Sequence, residues 1–360
     1  MLGVLSHLIR ITEGKERLLR VLVYSARPYD EESLNSANQG KHQLHFTEAR
    51  LDKRTATLAR DYPAVCCFVD DALNAAVLAQ LNKEGIKLIA LRSTGFNNVD
   101  LPAAEKHGMT VMRVTRYSPY AVAEFAVCMM LALNRKIHRA YERVREGNFL
   151  LHGLLGFDLH GKVVGIVGTG RIGGVLARIL HGFDCKLLGY DLMENPDCLS
   201  LGMQYVTLEE LLSQSDIVSL HAPLTQQTRH MINAKTLALM KLGSMLINTS
   251  RGALVDSRAL LTSLKKRHLG AAGLDVYEEE SHIYFKDLSD EIITDDVISR
   301  LTTFPNVIIT GHQAFFTSEA LAIIAETTIE NISDFEAGRS NENILKSEEV
   351  IRPTSKEKRP

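Results

Sequence analysis

The chain has 360 residues, 45% hydrophobic and 23% charged, with a formal net charge of −2. That length suits two domains with cores of their own, and the near-neutral balance excludes an electrostatic case for nucleic acid or an anionic membrane. Five cysteines (Cys66, Cys67, Cys128, Cys185, Cys198) are odd in number and lack metal-ligand spacing, so no metal is expected and a reducing compartment fits.

The first residues, MLGVLSHLIR, set Leu2, Leu5 and Leu8 on one helical face without an acid, until Glu13 and Glu16 break the pattern. Residues 1–19 read as an N-terminal extension, with a transit peptide as the alternative to a frayed end and a cytoplasmic location otherwise. No apolar run approaches membrane-spanning length.

Arg20–Tyr24 reads as the first strand. A polar helix near Asp30–Asn38, strands near Leu44–Phe46 and Ala64–Val69, a helix over Asn74–Lys83 and strands Lys87–Leu91 and Thr110–Val114 follow. This is a βα series without a glycine fingerprint. Adjacent Cys66 and Cys67 should face opposite sides of their strand as core thiols. Ser118-Pro119 opens a helix running through Met129 and Met130 to Tyr141. It is apolar over much of its circumference, so it must bury against the neighbouring domain or another subunit. The subunit is favoured, because both series already have helices for their sheets.

The second series opens on KVVGIVGTGRIGGVLARILHGFDCKLLGYD, Lys162–Asp191. Val163–Val167 is a short β-branched run, Gly168–Gly173 fits G-x-G-x-x-G, and Val175, Leu176, Ile179, Leu180 and Phe183 recur at helical spacing. A second apolar run ends in Asp191, eighteen positions past Gly173. Strand, glycine turn, helix, strand and acid in that order are what a dinucleotide site requires. Gly168 permits the tight turn, Gly170 the approach of the pyrophosphate, and Gly173 close helix packing. Asp191 points to NAD, because a carboxylate holds a ribose 2′-OH and repels a 2′-phosphate.

Thr207 with Glu210 forms a capping box before Leu208–Ser213. Strands Ile217–Leu220, Met245–Asn248, Ala272–Val276 and Val307–Thr310 complete a count of six, with helices near Ala234–Met240 and Arg258–Lys266. Glu279–Ser299 is long, acidic and irregular, either a surface excursion or a lid, and the closing SKEKRP reads as disordered. Ligands of a doubly wound sheet sit beyond the strands' carboxyl ends. Three polar groups fall there: Arg251 in NTSRGALVD, Glu280 in DVYEEE and His312 in GHQAF.

With YSARPYD, FVDD, RSTGFNNVD and GTGRIG, these motifs make Val21–Ile344 resemble the D-isomer-specific 2-hydroxyacid dehydrogenases, most closely their NAD-dependent D-lactate dehydrogenase branch. The resemblance implies an α/β fold of two Rossmann-like doubly wound domains with parallel sheets and an interdomain active site. The substrate domain would be discontinuous, 20–117 plus 316–343, with the NAD-binding domain 118–315 inserted and 344–360 a tail. It further implies that Arg251 binds the substrate carboxylate, His312 exchanges the carbonyl proton, and Glu280 holds His312, with Glu278 the alternative. Thr94 and Gly95 would donate N–H groups to the carboxylate, and Tyr117 and Phe315 would line the pocket. Arg171, Ile172, Ala222, Pro223, Thr228, Thr249, Ser250 and Asp275 match cofactor-contact positions. Phe125 and Thr115 depart from the family, standing where histidine and proline are usual. The implied function is reversible reduction of pyruvate to D-lactate by a homodimer or higher homo-oligomer, without nucleic-acid or membrane partners. A bulkier 2-keto acid, and an NAD(H)-sensing corepressor-like interaction protein, are the other readings.

Overall fold

A computed structural model describes residues 18–280 and 283–347. The readings of the leading segment and of the SKEKRP tail lie outside the described residues. Among the described residues no helix is long and apolar enough to cross a membrane.

Residues up to Tyr117, with those from Ser318 on, form one compact unit. Its strands β1 (Arg20–Val23), β2 (Gln43–Phe46), β3 (Ala64–Cys67), β4 (Leu88–Leu91) and β5 (Thr110–Met112) pair in parallel in the order β2-β1-β3-β4-β5. The order of strand addition reverses between β1 and β3, which pair in parallel with Val21 opposite Ala64. The central strands β3 and β4 are covered on both faces, which is why they read as unbroken apolar runs, whereas the edge strand β2 carries Gln43 exposed. Cys67 joins Leu22, Val65, Ile89 and Leu78 in one core, and Cys66 joins Val21, Val23, Leu88 and Ala90 in another. That second core is completed by Ala325, Ile329 and Ile332 of the helix Ser318–Glu336. Each such buried branched side chain contributes about 1.5–3 kcal/mol.

Ser118–Thr317 form the other unit. Strands β6 (Val163–Val167), β7 (Lys186–Tyr190), β8 (Gln204–Tyr205), β9 (Ile217–Leu220), β10 (Met245–Asn248), β11 (Ala271–Leu274) and β12 (Val307–Ile309) run parallel in the order β12-β11-β10-β9-β6-β7-β8. This is a doubly wound sheet whose switch point lies between β6 and β9. The count of six missed β8, two residues long with Gln204 exposed, too short for any periodicity to register.

Two further expectations change. The helix from Pro119 ends at Arg135 and a second runs Ile137–Arg145, because Lys136 sits in the left-handed region at φ 51°. The first of these helices packs on its own unit's sheet, against the expectation that a subunit would cover it. Gly273 on β11 carries no side chain, and a Cβ there would stand 2.8 Å from Ile247, 3.1 Å from Leu133 and 3.4 Å from Met129. That gap is what seats the helix. The acidic excursion is anchored too: Tyr284 and Ile298 bury against Tyr277, whose hydroxyl donates to Asp295 at 2.8 Å.

Candidate active site

The glycine turn follows β6 and is built for close approach. Gly168 adopts φ 91°, and a Cβ on it would meet the backbone of His221 and Ala222 at 2.6 Å. A Cβ on Gly173 would lie 2.0 Å from the Gly168 carbonyl oxygen, so the helix Arg171–His181 sits directly on the turn. At Gly170 a Cβ would meet nothing within 4 Å, and this residue is the N-cap of that helix with no side-chain cap hydrogen bond. Bare backbone N–H groups and the positive end of the helix dipole therefore face open space, as a pyrophosphate requires. Arg171 is exposed at the helix start, while Ile172 is half-buried against the core.

Asp191 ends β7. Its carboxylate accepts from the Thr169 N–H at 2.6 Å and the Leu192 N–H at 2.6 Å. Beyond β9 and β10 the chain supplies Ala222, Pro223, Thr249 and Ser250. The Ser250 hydroxyl donates to the Ala222 carbonyl at 2.7 Å, and that of Thr228 to the Pro223 carbonyl at 2.6 Å. Thr249 is buried, and its hydroxyl has no hydrogen-bond partner. A buried orphan hydroxyl at the rim of a dinucleotide crevice fits a site that a ligand completes. His221, absent from the sequence-derived set, has its ring bonded to Ser219 Oγ at 2.8 Å, and burial pushes its imidazole down to about 4.

The three candidate catalytic residues stand on neighbouring strand ends. Arg251 follows β10. Its Nη1 donates to the Ser250 carbonyl at 2.7 Å, and no carboxylate among the described residues forms an ion pair with it. The next residue, Gly252, lies so close to the segment after β11 that a Cβ would stand 2.1 Å from Tyr277 C and O. On that segment Glu280 turns back, its Oε2 accepting from the Tyr277 N–H at 3.0 Å and its Oε1 lying 3.1 Å from His312 Nδ1. Glu278, the alternative partner, is instead engaged by His230 at 2.5 Å and Arg229 at 3.0 Å. An ionised Glu280 accepts a hydrogen bond from Nδ1–H, which leaves Nε2 as the ring nitrogen able to exchange a proton.

His312 itself has φ 57°, a conformation that side chains rarely adopt. The cause is Asp275, fully buried, whose carboxylate accepts from Thr310 Oγ1 at 2.5 Å, Gln313 N–H at 2.9 Å and Ala314 N–H at 2.8 Å, while its carbonyl accepts the His312 N–H at 2.8 Å. Asp275 thus braces the histidine turn, in addition to standing at a matched cofactor position. The Phe285 ring lies 5.9 Å from that of His312. Phe315 is half-buried, edge-on to Phe316 at 6.0 Å.

In the first unit, Thr94 and Gly95 follow β4 in a loop held on several sides. Arg113 Nη1 donates to the Thr94 carbonyl at 3.2 Å and its guanidinium lies over Phe96 at 4.9 Å, while Ser93 Oγ donates to the Gly95 carbonyl at 2.8 Å. Beneath the loop, buried Arg92 pairs with Asp30 at 3.1 Å and donates to the Ser25 carbonyl at 2.9 Å. Burial pushes Asp71 up to about 6 although the Arg92 charge opposes it. Tyr117 is half-buried at this unit's end. Thr115 uses the hydroxyl a proline would lack, donating to Asn343 Oδ1 at 2.7 Å, and Phe125 packs on the second unit's core.

Comparison with known proteins agrees with this chemistry. Residues 127–314 match the model of the D-isomer specific 2-hydroxyacid dehydrogenase NAD binding domain. Over 329 residues the chain is 49% identical to 2-hydroxyacid dehydrogenase homolog 1 of Schizosaccharomyces pombe, covering 91% of this chain and 99% of that one. It is 47% identical over 328 residues to D-lactate dehydrogenase of Escherichia coli, covering 91% and 100%. The solved pyruvate reductase of Chlamydomonas reinhardtii superposes with a TM-score of 0.87 at 46% identity, covering 91% and 99%. Fingerprint, sheet order and these relatives agree: the chain belongs to the D-isomer specific 2-hydroxyacid dehydrogenase family, and its second unit carries that family's NAD binding domain.

Proposed function

We propose that this chain is an NAD-dependent D-lactate dehydrogenase, reducing pyruvate to D-lactate and running the reverse reaction. The observation that carries the reading is the contact of Glu280 with His312 Nδ1, on strand ends neighbouring that of Arg251, which forms no ion pair with a carboxylate among the described residues. Relatives named D-lactate dehydrogenase and pyruvate reductase support the substrate. Bound NADH supplies the hydride. Arg251 clamps the substrate carboxylate through its planar fork and polarises the keto oxygen. His312 delivers a proton from Nε2 to that oxygen in reduction and removes it in oxidation. Glu280 fixes the tautomer and favours the charged ring. In this reading Thr94 and Gly95 donate N–H groups to the carboxylate, and Tyr117 and Phe315 limit the side chain to a methyl.

The division of labour gives 118–315 the nucleotide and 20–117 with 316–343 the substrate. A second copy of the chain is assigned to the apolar surface of Ile137, Tyr141, Val144, Leu151 and Leu155, all exposed in the single chain. The cytoplasm is the proposed location. Initial rates of NADH oxidation over a panel of 2-keto acids, with product chirality, test the proposal. Pyruvate should lead and give D-lactate. A higher kcat/KM for phenylpyruvate or 2-ketoisocaproate, L-lactate as product, or NADH binding without turnover would overturn it.

A further inference from the structure

The strand that the sequence did not show, β8, reaches the cofactor site through one hydroxyl. Thr169, between the first two glycines of the turn, is buried and bonded on every polar atom. Its N–H donates to Asp191 Oδ2 at 2.6 Å, its carbonyl accepts from Asn195 Nδ2 at 2.7 Å, and its hydroxyl lies 3.3 Å from Asp191 Oδ2 and 2.8 Å from the Tyr205 hydroxyl. Tyr205 in turn accepts the Asn195 N–H at 2.8 Å. An ionised carboxylate can only accept, so the direction of the chain is set. Asn195 gives to Tyr205, Tyr205 to Thr169, and Thr169 to Asp191. Bonds in such a series polarise one another. The tyrosine ring has its place because β7 carries Gly189 opposite it, where a Cβ would stand 3.0 Å from Tyr205 Cε1 and 2.5 Å from Met203 Sδ.

We propose that Tyr205 is a positioning residue for cofactor choice. By fixing the Thr169 hydroxyl it holds one Asp191 oxygen to the glycine turn, while the Leu192 N–H holds the other. Discrimination against a 2′-phosphate needs the negative charge to stay where that phosphate would fall; a carboxylate free to rotate yields room. A ribose diol, which donates, gains from the fixed orientation for the same reason. The inference rests on the NAD reading of this site.

The test is Tyr205→Phe, which removes one oxygen and keeps the ring. Dissociation constants for NADH and NADPH are read from nicotinamide fluorescence, which the chain's lack of tryptophan leaves undisturbed. Loss of one hydrogen bond should weaken NADH about fivefold, leave NADPH no weaker or tighten it, and shrink the preference by at least that factor, with kcat at saturating NADH held. Thr169→Val should do likewise, and the double variant should add little. Equal weakening of both cofactors, or an unchanged ratio in both single variants, overturns the role of Tyr205. An unmutated protein that binds NADPH as well as NADH would instead overturn the cofactor reading itself.

Discussion

Gly252 offers a sharp test of how the candidate catalytic groups are assembled. An alanine Cβ at this position would stand 2.1 Å from Tyr277 C and O and 2.5 Å from Glu278 N, all of them backbone atoms that no rotamer change can move aside. Restoring ordinary carbon contact of about 3.5 Å requires the two loops to part by roughly 1.4 Å. One carries Arg251, the other Glu280. Overpacking of this kind costs about 1–3 kcal/mol of stability, which in a unit the size of Ser118–Thr317 lowers Tm by roughly 2–4 °C for each kcal/mol. The effect on chemistry should be larger, since a misplacement of about 1 Å can cost roughly a hundredfold. Gly252→Ala is therefore expected to fold, still bind NADH through the glycine turn, and lose about a hundredfold in kcat/KM for pyruvate. Steady-state rates, nicotinamide fluorescence and thermal denaturation on one preparation would check all three. Activity within a few fold of the unmutated protein would refute the claim that this contact sets the spacing of Arg251 and Glu280.

Other outcomes follow from the same geometry. Glu280→Gln removes the negative partner 3.1 Å from His312 Nδ1, so the imidazolium is less favoured and the pH profile of pyruvate reduction, which needs the protonated ring, should move toward acid; an alkaline shift or none counts against the pair. Arg251→Lys keeps the charge but loses the fork, and kcat/KM should fall by the equivalent of about 2–4 kcal/mol, a loss that near-normal rates would disprove. His42 is buried beside Ser333, Glu336 and Lys41, and burial lowers its pKa although Glu336 opposes this. The folded state thus prefers the neutral ring, so its contribution is present above the unfolded value of about 6.5 and fades as pH falls below it. Urea denaturation between pH 7.5 and 5.5 should show a slope that His42→Gln reduces; an equal slope in the variant would rule the residue out.

Much of the site was legible because its signals are local. The glycine turn, Asp191 and the Thr207–Glu210 capping box each depend on spacing within one βα unit, and the structure places all of them as read. Arg251, Glu280 and His312 were legible as strand-end residues in motifs. What held them was not. Asp275 bonds to a turn more than thirty positions away, Tyr205 reaches Thr169 across 36 positions, and Arg92 meets Asp30 across 62. Such contacts leave no period in the chain. The break at Lys136 was hidden for a different reason: lysine is a good helix former and gives no stop signal. The acidic run after Glu279 disguised Tyr284 and Ile298, whose burial outweighs the charges around them.

The helix Ser318–Glu336 has a consequence for how this chain comes into being. It completes the core over Val21, Val23 and Leu88, yet it is translated some two hundred residues after β5 is finished. A ribosome making the chain from its N-terminus releases β1 to β5 with one face covered only in part, by Leu34 and Ala37 of the helix Pro28–Asn38, then the whole of Ser118–Thr317, and only afterwards the segment that completes that face. The second unit can reach its native state while the first still waits. A nascent chain stalled before Ser318 should therefore protect Cys185 and Cys198 from alkylation while leaving Cys66 open to it, and release of the full chain should close that difference.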